Sequence, residues 1–543
     1  MFQPRGHSAH NDTFARDNLP PLDLWPDMDY GAVPALAAYP GQINVARDLL
    51  DIHVAAGFGD RPALHFNGAS WSYAVLHAQA NRIARVLVED MGLETGNRVL
   101  LRAPNNPMLV AAWFAVLKAG GICVTTMPML RSGELVPLIE KAQVSHALCD
   151  IALATDLDTA CKGLPITALH FSADGTGDQA LERAMAGKPA TFDTVDTAAD
   201  DVALIAFTSG TTGGSKGTIH FHRDVLAIAD LFPRHVISIG RDDVFAGSPP
   251  LAFTFGLGAL VVFPMRYGAS SVMVERFGPD TMLETVQRYG CTGIYTAPTA
   301  YRAMLPKVND FDLSRLKVCV SAGEHLPKAT WEAWHKATGI ALIDGIGATE
   351  LLHIFVSASG AEIRPGATGK AIAGYEARLI DAEGEPLPPG GEGRLAVRGP
   401  TGCRYLADAE RQKGYVQDGW NVTGDVYRED AEGYLHYIAR SDDMIISAGY
   451  NIAGPEVENA LLTHAAVQEC AVVGVPDDAR GQLVKAFVVA APGVSGDAAL
   501  AKILQDHVKA TIAPYKYPRA IDFVDALPKT QTGKVQRFKL RDS

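Results

Sequence analysis

The residues best suited to chemistry lie together in one short run, TSGTTGGSKG (208–217), which holds four glycines, five hydroxyl side chains and one lysine. Glycines let a backbone turn tightly beside a ligand, and exposed amides, hydroxyls and a lysine attract anions. The apolar stretch before it (202–207) is typical of a buried strand, and RDVLAIADLF (223–232) after it predicts a helix. We therefore expect a phosphate-binding loop that joins a strand to a helix. A flexible surface linker would need neither the lysine nor the strand.

Two common nucleotide-binding loops do not fit these residues. A P-loop requires a glycine before its lysine and Ser or Thr after it, whereas Lys216 follows Ser215 and precedes Gly217. A Rossmann loop requires GxGxxG after an early strand, and GIGATE (345–350) has glutamate in place of the last glycine. The phosphate chemistry must therefore belong to another class of enzyme.

Composition limits the class of protein. A chain of 543 residues is too long for one core, so we expect two or more domains. Hydrophobic residues at 48% and charged residues at 20% are typical of a globular protein, and the formal net charge of -13 argues against a general nucleic-acid or anionic-membrane surface. The seven cysteines are scattered without a CxxC pair, which favours core thiols over a metal cluster or a disulfide framework.

No targeting or membrane-spanning segment is predicted. The first twenty residues are polar and contain proline, so they do not have the pattern of a signal peptide. The apolar run LGALVVFPM (257–265) is well short of the roughly 18 residues that cross a bilayer. We therefore expect a cytoplasmic protein.

Strand-like and helix-like stretches alternate along most of the chain, which predicts an α/β fold. An example is RVLLRAP (98–104) followed by NPMLVAAWFAVLKAG (106–120). We expect a large N-terminal domain (1–440) of α/β layers that ends in a β-rich section, and a small mobile C-terminal α+β domain (441–543) with βαβ-like alternation. Pro455 marks the start of a helix after the boundary, and the polar residues beyond 528 predict a mobile tail.

Five motifs, in the same order and spacing, resemble those of the adenylate-forming superfamily of acyl-CoA synthetases, luciferases and peptide-synthetase adenylation domains. The run TSGTTGGSKG resembles the phosphate-binding signature of that family. The other four motifs are DGIGATE (344–350), WNVTGD (420–425), ARSDDMIISAGYNIAGPEVE (439–458) and PKTQTGK (528–534). The resemblance therefore extends across most of the chain.

The resemblance implies a two-step reaction. A carboxylate attacks the α-phosphorus of ATP and releases pyrophosphate, and the acyl-adenylate then reacts with the thiol of coenzyme A and releases AMP. Anion attacks anion in the first step, so the site must neutralise charge and hold the triphosphate in line. Mg²⁺ is an expected cofactor with Glu350 as its protein ligand, because this hard cation binds carboxylate and phosphate oxygens.

The resemblance also assigns residues to ATP. The loop holds the β- and γ-phosphates, Thr349 contacts the α-phosphate, Gly323 and Glu324 lie against adenine, and Asp425 accepts the ribose hydroxyls. The full expected set is Thr208, Ser209, Gly210, Thr211, Thr212, Gly213, Lys216, Gly323, Glu324, Asp344, Asp425 and Arg440.

Lys534 is the expected catalytic residue, together with Thr349 and Glu350. Its ammonium would bridge the attacking carboxylate and the α-phosphate. The resemblance implies that the small domain then rotates about Asp442, which removes Lys534 and brings Gly449 and Tyr450 to the coenzyme A tunnel.

The acid is expected to be aromatic. The segments PLAFTFGLG (250–258) and DGIGATELLHIF (344–355) resemble the corresponding segments of benzoate-type CoA ligases. The N-terminal segment SAHNDTFARDNLPP (8–21) resembles that of 2-aminobenzoate-CoA ligases. Flat side chains suit an aryl ring, and a histidine or threonine can contact a carboxylate or an ortho substituent. Ile346, where the superfamily usually has tyrosine, cannot stack on adenine in the same way. The expected acid-binding residues are Phe253, Thr254, Phe255, Gly345, His353 and Ile354.

Several alternatives stay open. The acid can instead be an arylalkanoic or medium-chain fatty acid, and the chain can be a nucleotide-binding protein without catalysis, although the presence of both Lys534 and Glu350 argues against that. Coenzyme A is favoured over a tethered carrier because no carrier domain follows Ser543. The expected partners are the acid, ATP and coenzyme A, without nucleic acid or membrane, and a homodimer is one of the open oligomeric states.

Overall fold

The structure is a computed structural model of the 543-residue chain. It describes residues 6–208, 216–441, 443–447, 450–477, 481–512, 514–529 and 534–541. Of the expected site residues, Ser209, Gly210, Thr211, Thr212, Gly213, Asp442 and Gly449 lie outside the described residues, as do the side chains of Thr208 and Tyr450.

The strands are, in chain order, β1 Pro62–Phe66, β2 Ala69–Ser72, β3 Arg98–Arg102, β4 Ile122–Thr126, β5 His146–Asp150, β6 Thr167–Phe171, β7 Val202–Thr208, β8 Lys216–Phe221, β9 Val244–Gly247, β10 Ser270–Val272, β11 Gly293–Thr296, β12 Val318–Ala322, β13 Leu342–Gly347, β14 Ile354–Ser357, β15 Lys370–Ala371, β16 Glu376–Ile380, β17 Glu392–Arg398, β18 Val416–Gln417, β19 Trp420–Glu429, β20 Leu435–Arg440, β21 Met444–Ser447, β22 Tyr450–Ala453, β23 Val467–Asp477, β24 Gly481–Ala490 and β25 Ala520–Phe523.

The α-helices are α1 Phe14–Asp17, α2 Pro34–Ala37, α3 Ile52–Ala55, α4 Tyr73–Arg85, α5 Pro107–Lys118, α6 Ser132–Ala142, α7 Ala154–Cys161, α8 Ala180–Met185, α9 His222–Phe232, α10 Thr254–Leu257, α11 Phe263–Tyr267, α12 Pro279–Tyr289, α13 Pro298–Met304, α14 Lys328–Thr338, α15 Ala409–Tyr415, α16 Gly454–Leu462, α17 Ala498–Thr511 and α18 Arg537–Arg541.

Two sheets form the centre of the large domain. One has nine strands in the order β15-β14-β13-β12-β11-β9-β10-β1-β2, and the other has six in the order β6-β5-β3-β4-β7-β8. Strand β3 is buried along its whole length, as expected for a parallel strand covered on both faces. The following helix α5 is also fully buried and begins at Pro107, with the Asn106 side chain accepting the backbone N–H of Leu109.

The expected strand-to-helix loop around TSGTTGGSKG is wrong in one respect. Strand β7 is followed by a second strand, β8, which pairs antiparallel to it with Thr208 opposite Lys216. Helix α9 begins only after β8, at His222. The polar residues of KGTIHF concealed this strand, because its Thr218 and His220 are buried and have tertiary surroundings that a sequence pattern does not reveal. The run TSGTTGGSKG therefore lies between two strands of a hairpin.

The β-rich section and the small domain follow. Strands β16-β17-β19-β18 form an antiparallel sheet, and β20 pairs with β19. In the C-terminal region, β22-β21-β24-β23 form another sheet to which β25 is added in parallel beside β24. Strands β23 and β24 are a hairpin, so the expected βαβ alternation is wrong there and applies only to β24, α17 and β25. Helix α16 has Pro455 in its first turn, as expected.

The expected fold class is confirmed: α/β layers, then a β-rich section, then a small α+β region. Separate hydrophobic clusters support this division, because Ile445, Val457, Val484 and Leu504 share a core that contains no residue before 445. Part of the tail forms the short helix α18, so the expectation of a mobile tail does not describe those residues. Among the described residues, no helix is long and apolar enough to cross a membrane.

Candidate active site

The carboxyl ends of β12 and β13 bring two expected ATP-binding segments side by side. The strands are parallel, with Ser321 opposite Asp344, so the turn carrying Gly323 and Glu324 begins next to Asp344. Gly323 has φ +89°, a left-handed conformation that favours glycine. Ligands commonly bind in the crevice beyond the carboxyl ends of parallel strands, so this edge is suited to a nucleotide.

Lys534 lies over this edge, although it is more than two hundred residues further along the chain. A Cβ built on Gly323 would be 3.7 Å from Cε of Lys534. Desolvation lowers the pKa of Lys534, and attraction to Asp425, Glu324 and Glu350 opposes that shift. Lys534 nevertheless remains in contact with solvent. The described conformation therefore places the ammonium within electrostatic reach of Asp425, Glu324 and Glu350, with the cation of Arg440 acting against them.

Asp425 and Arg440 form the side of the site that belongs to the β-rich section. They are directly opposite each other on β19 and β20, and a guanidinium nitrogen lies 3.3 Å from Asp425 Oδ1. Gly424 allows this pairing, because a Cβ there would be 2.4 Å from Nη2 of Arg440. The Asp425 side chain is 15% exposed and can therefore accept hydrogen bonds from a ligand.

Thr349 and Glu350 lie in a single 3₁₀ turn, Thr349–Leu351, between β13 and β14. The hydroxyl of Tyr405 donates to Oε1 of Glu350 at 2.6 Å. In the part of the chain that the structure describes, no protein donor is found for Oε2 of Glu350. A carboxylate oxygen left free in a polar turn is a ligand that Mg²⁺ accepts, so these residues fit the expected cation.

The two remaining carboxyl groups of the site have perturbed acidities. Burial raises the pKa of Asp344 to about 8, against hydrogen bonds from the Gly345 backbone and the Thr368 side chain. Burial also raises the pKa of Glu324, and Thr299, Lys529 and Lys534 oppose that rise. Titratable groups perturbed by burial at a cleft are a common property of functional sites.

Asp344→Asn should flatten the pH dependence of stability. The pKa of Asp344 in the folded protein, about 8, is higher than that of an ordinary aspartate. The stability it contributes is therefore fully present below about pH 4 and is lost as pH rises through 8. Above pH 8 we expect the variant to melt on the order of 2 °C higher than the wild type. Thermal unfolding at several pH values measures this, with the exposed Asp525→Asn as control; parallel curves for all three proteins would contradict it.

The expected acid-binding segment forms a compact, irregular helix. Phe253 precedes α10, which begins at Thr254, and a π-helical turn, Gly258–Val262, continues it to α11. Gly256 is required here, because a Cβ would be 2.2 Å from the Pro250 carbonyl oxygen. π-turns recur at functional sites, and this one brings Phe255 and Gly258 to the same histidine.

That histidine is His353, which is buried and enclosed by aromatic rings. The ring centroids of Phe255 and Phe263 lie 5.7 and 4.5 Å from its own, and a Cβ on Gly258 would be 2.5 Å from its Cδ2. Burial lowers the pKa of His353 to about 3, with the Phe255 backbone opposing part of the shift. Neither ring nitrogen has a hydrogen-bond partner of normal geometry among the described residues. A neutral imidazole therefore faces an aromatic environment.

Gly345 and Ile354 lie on the adjacent antiparallel strands β13 and β14. A Cβ on Gly345 would be 2.8 Å from Cγ2 of Ile354, so the glycine lets β13 and β14 approach closely. Tyr295 also belongs to this surrounding, since its ring centroid lies 6.0 Å from that of Phe255 and its buried hydroxyl has no partner in the described part of the chain.

The small domain contacts the large one next to the site. Asn459 of α16 lies 3.2 Å from Nε2 of His325, whose ring stacks on Tyr437 with centroids 5.1 Å apart. Arg302 donates to the Val467 carbonyl oxygen at 3.0 Å. These contacts accompany the position of Lys534 over Gly323.

The structure therefore brings together described residues from four of the five motifs. They are Glu350 of DGIGATE, Asp425 of WNVTGD, Arg440 of the segment 439–458 and Lys534 of PKTQTGK. Of the expected acid-binding residues, Phe255 packs against His353, and Gly345 lies against Ile354. Tyr450 begins β22, and its side chain lies outside the described residues. The sequence did not predict a role for four residues near the site, because their residue types and positions indicate no chemistry without their tertiary partners. These residues are Tyr405, His220, Tyr295 and His325.

Comparisons with known proteins identify the family of this chain. Residues 52–405 match the family described as AMP-binding enzyme, and residues 456–534 match the AMP-binding enzyme C-terminal domain. A benzoate–CoA ligase of Thauera aromatica is 34% identical over 523 residues, which cover 95% of this chain and 99% of that relative. The mitochondrial acyl-coenzyme A synthetase ACSM3 of Mus musculus is 32% identical over 527 residues, covering 92% and 90% of the two chains.

A solved structure is similarly close. The anthranilate CoA ligase AuaEII in complex with anthranoyl-AMP superposes with a TM-score of 0.88 at 34% identity, covering 93% of this chain and 98% of that chain.

Proposed function

We propose that this chain, which belongs to the family of AMP-binding enzymes and is an AMP-forming acid–thiol ligase, activates an aromatic carboxylic acid, 2-aminobenzoate or benzoate, as its coenzyme A thioester. The activity of an ATP-dependent acyl-CoA ligase follows from the family. The preference for an aromatic acid depends on the residues around His353.

The observation that carries the proposal is the aromatic enclosure of a neutral histidine whose ring nitrogens have no hydrogen-bond partner of normal geometry among the described residues. Phe255, Phe263 and Phe232 have ring centroids within 5.7 Å of the His353 ring. Aromatic walls suit a flat ring, since offset and edge contacts between rings add to the benefit of burial. A buried imidazole without a hydrogen bond is costly, so a ligand group that pairs with it is favoured. An ortho amino group supplies such a partner, because a neutral imidazole nitrogen accepts its N–H.

In the first half-reaction, an oxygen of the acid carboxylate attacks the α-phosphorus of ATP, and pyrophosphate leaves. Lys534 stabilises the charge that develops between the two anions, and its position over Gly323 supports this role. Thr349 contacts the α-phosphate, and Asp425 with Arg440 holds the ribose. Bound at Glu350, Mg²⁺ neutralises phosphate charge. Lys216, at the start of β8, together with the loop before it, holds the leaving pyrophosphate.

In the second half-reaction, the thiolate of coenzyme A attacks the acyl carbon and AMP leaves. Lys534 is no longer needed, so the small domain turns about Asp442, and the segment of Gly449 and Tyr450 approaches the thiol. The domain boundary at residues 440 and 441 belongs to the same proposal. The contact between His325 and Asn459 has to break during this rotation, because its two residues lie on different domains.

The test is AMP release from purified enzyme with ATP, Mg²⁺, coenzyme A and a panel of acids. The panel contains benzoate, 2-aminobenzoate, 2-hydroxybenzoate, 3-phenylpropanoate, hexanoate and octanoate. We expect kcat/KM for the best benzoate to exceed that for hexanoate at least about 10-fold, since a pocket of aromatic walls discriminates by shape as well as by area. A preference for hexanoate, octanoate or 3-phenylpropanoate would establish the alternative ligase. ATP binding without AMP release for every acid would indicate a non-catalytic protein.

His353→Phe should separate the two benzoates. The change keeps an aromatic ring of similar size and removes both nitrogens, so the ratio of kcat/KM for 2-aminobenzoate to that for benzoate should fall about 10-fold. Benzoate is the internal control, because it has no ortho group. Equal loss for both acids would place the imidazole at the shared carboxylate and contradict this prediction.

A further inference from the structure

The turn that carries Glu350 is held by one side chain at each of its three residues. The Nε2–H of His220 donates to the Thr349 carbonyl oxygen at 2.8 Å. The hydroxyl of Tyr405 donates to Glu350 Oε1 at 2.6 Å. The hydroxyl of Thr401 donates to the Leu351 carbonyl oxygen at 2.7 Å. We call these three bonds the turn brace.

Two of the bonds fix backbone, and one fixes a side chain. Leu352, which follows the turn, has φ +72°, a left-handed conformation that is unfavourable for leucine and persists only where its surroundings impose it. The bonds to Thr349 and Leu351 provide such a constraint. Among the residues that the structure describes, Tyr405 is the one that hydrogen-bonds the Glu350 carboxylate, so it selects which oxygen remains available.

Tyr405 is itself rigidly placed beside the strand that leaves the phosphate-binding run. It forms a bridge with Thr218 of β8, while the backbone N–H of Leu406 donates to the Gly217 carbonyl oxygen at 2.8 Å. Its own N–H donates to Oε1 of Gln412 at 2.9 Å, and its side chain is buried. A donor fixed at both its backbone and its ring costs little further entropy when it orients a partner.

We propose that Tyr405 is a positioning residue for the metal: it occupies Oε1 of Glu350 and thereby presents Oε2 to Mg²⁺. This inference rests on the proposed function, in which Glu350 binds that ion. Hydrogen-bond partners of metal ligands orient the ligand, and their loss typically weakens metal binding about 10–100-fold.

The experiment compares Tyr405→Phe with the matched control Tyr375→Phe. Tyr375 bonds the hydroxyl of Thr401 at 2.7 Å, so its removal takes away a buried phenol one step further from the turn. Calorimetry measures ATP binding over a series of Mg²⁺ concentrations, and Mn²⁺ resonance spectra of the enzyme–ATP complex report metal affinity without turnover. For Tyr405→Phe we expect metal affinity to fall about 10–100-fold while metal-free ATP binding is unchanged. Tyr375→Phe should behave as the wild type.

A double-mutant cycle makes the test independent of folding losses. Glu350→Gln retains an oxygen that accepts from Tyr405 but weakens metal binding, so the double variant should lose little beyond Glu350→Gln alone. Additive losses, wild-type metal affinity in Tyr405→Phe, or equal losses in both tyrosine variants would overturn the inference. A wild-type enzyme whose ATP binding ignores Mg²⁺ and Mn²⁺ would instead overturn the metal assignment within the proposed function, before any variant is compared.

Discussion

Lys534→Ala is expected to abolish acid-dependent exchange of pyrophosphate into ATP, with a loss on the order of 10³-fold, while thioester formation from a pre-made aryl-adenylate stays within about 3-fold of the wild type. The reason is where charge develops. In the first half-reaction two anions meet, and Lys534 lies over Gly323 where its charge can offset them. In the second half-reaction a thiolate attacks an activated ester, and no second anion has to be brought to the phosphate.

The control for this prediction is Lys539→Ala, which removes a neighbouring exposed lysine of α18. It should leave both half-reactions intact. Loss of tail charge in general would reduce activity in both variants. Equal loss of both half-reactions in Lys534→Ala would show that the lysine supports binding or folding rather than adenylation.

The sequence was sufficient for the fold class because its signals are local. Strand β3, helix α5 and helix α16, which has Pro455 in its first turn, follow from apolar runs, a proline and a capping asparagine. The juxtaposition of Gly323, Asp425 and Lys534 followed only from the resemblance of motifs, since their spacing along the chain gives no distance in space.

What the sequence did not reveal is carried by long-range partners. The polar residues of strand β8 are typical of a loop in the sequence. Their burial depends on distant partners, since His220 bonds the Thr349 carbonyl oxygen, 129 positions away. Tyr405 lies in GCRYL, a sequence with no pattern that indicates chemistry. A role for its hydroxyl can be inferred only from the hydrogen bond to Glu350, 55 positions away. Such pairs are specified by the tertiary fold, and single-sequence patterns do not encode them.

The site also separates two kinds of acidic residue by environment. Asp344 is half-buried and has no ion-pair partner among the described residues, and desolvation raises its pKa to about 8. Asp425 lies opposite Arg440 on the adjacent strand, with a guanidinium nitrogen 3.3 Å from its Oδ1. Asp425 is therefore the carboxylate best suited to accept hydrogen bonds from neutral ligand hydroxyls.

Asp425→Ala should weaken ATP binding about 100-fold and leave the KM of the acid nearly unchanged. Hydrogen bonds from hydroxyls to a carboxylate contribute roughly 1.5–3 kcal/mol each, and two ribose hydroxyls are available. Part of that gain is offset, because Asp425 already pairs with Arg440 at 3.3 Å and the ribose hydroxyls compete with the guanidinium for the same carboxylate oxygens. Binding titrations of ATP measure the loss, with Glu429→Ala at the far end of β19 as the control.

The decisive comparison uses 2′,3′-dideoxy-ATP, which lacks both hydroxyls. If Asp425 acts through the ribose, the wild type binds this analogue about as weakly as Asp425→Ala binds ATP, and the variant loses no further affinity for it. If Asp425 instead maintains the position of Arg440 or of Lys534, the variant loses affinity for ATP and for the analogue alike, because both carry the same phosphates. The coupling energy between the Asp425 carboxylate and the ribose hydroxyls therefore distinguishes a ribose contact from support of the neighbouring cations. The distance between Asp425 and Arg440 is compatible with both roles.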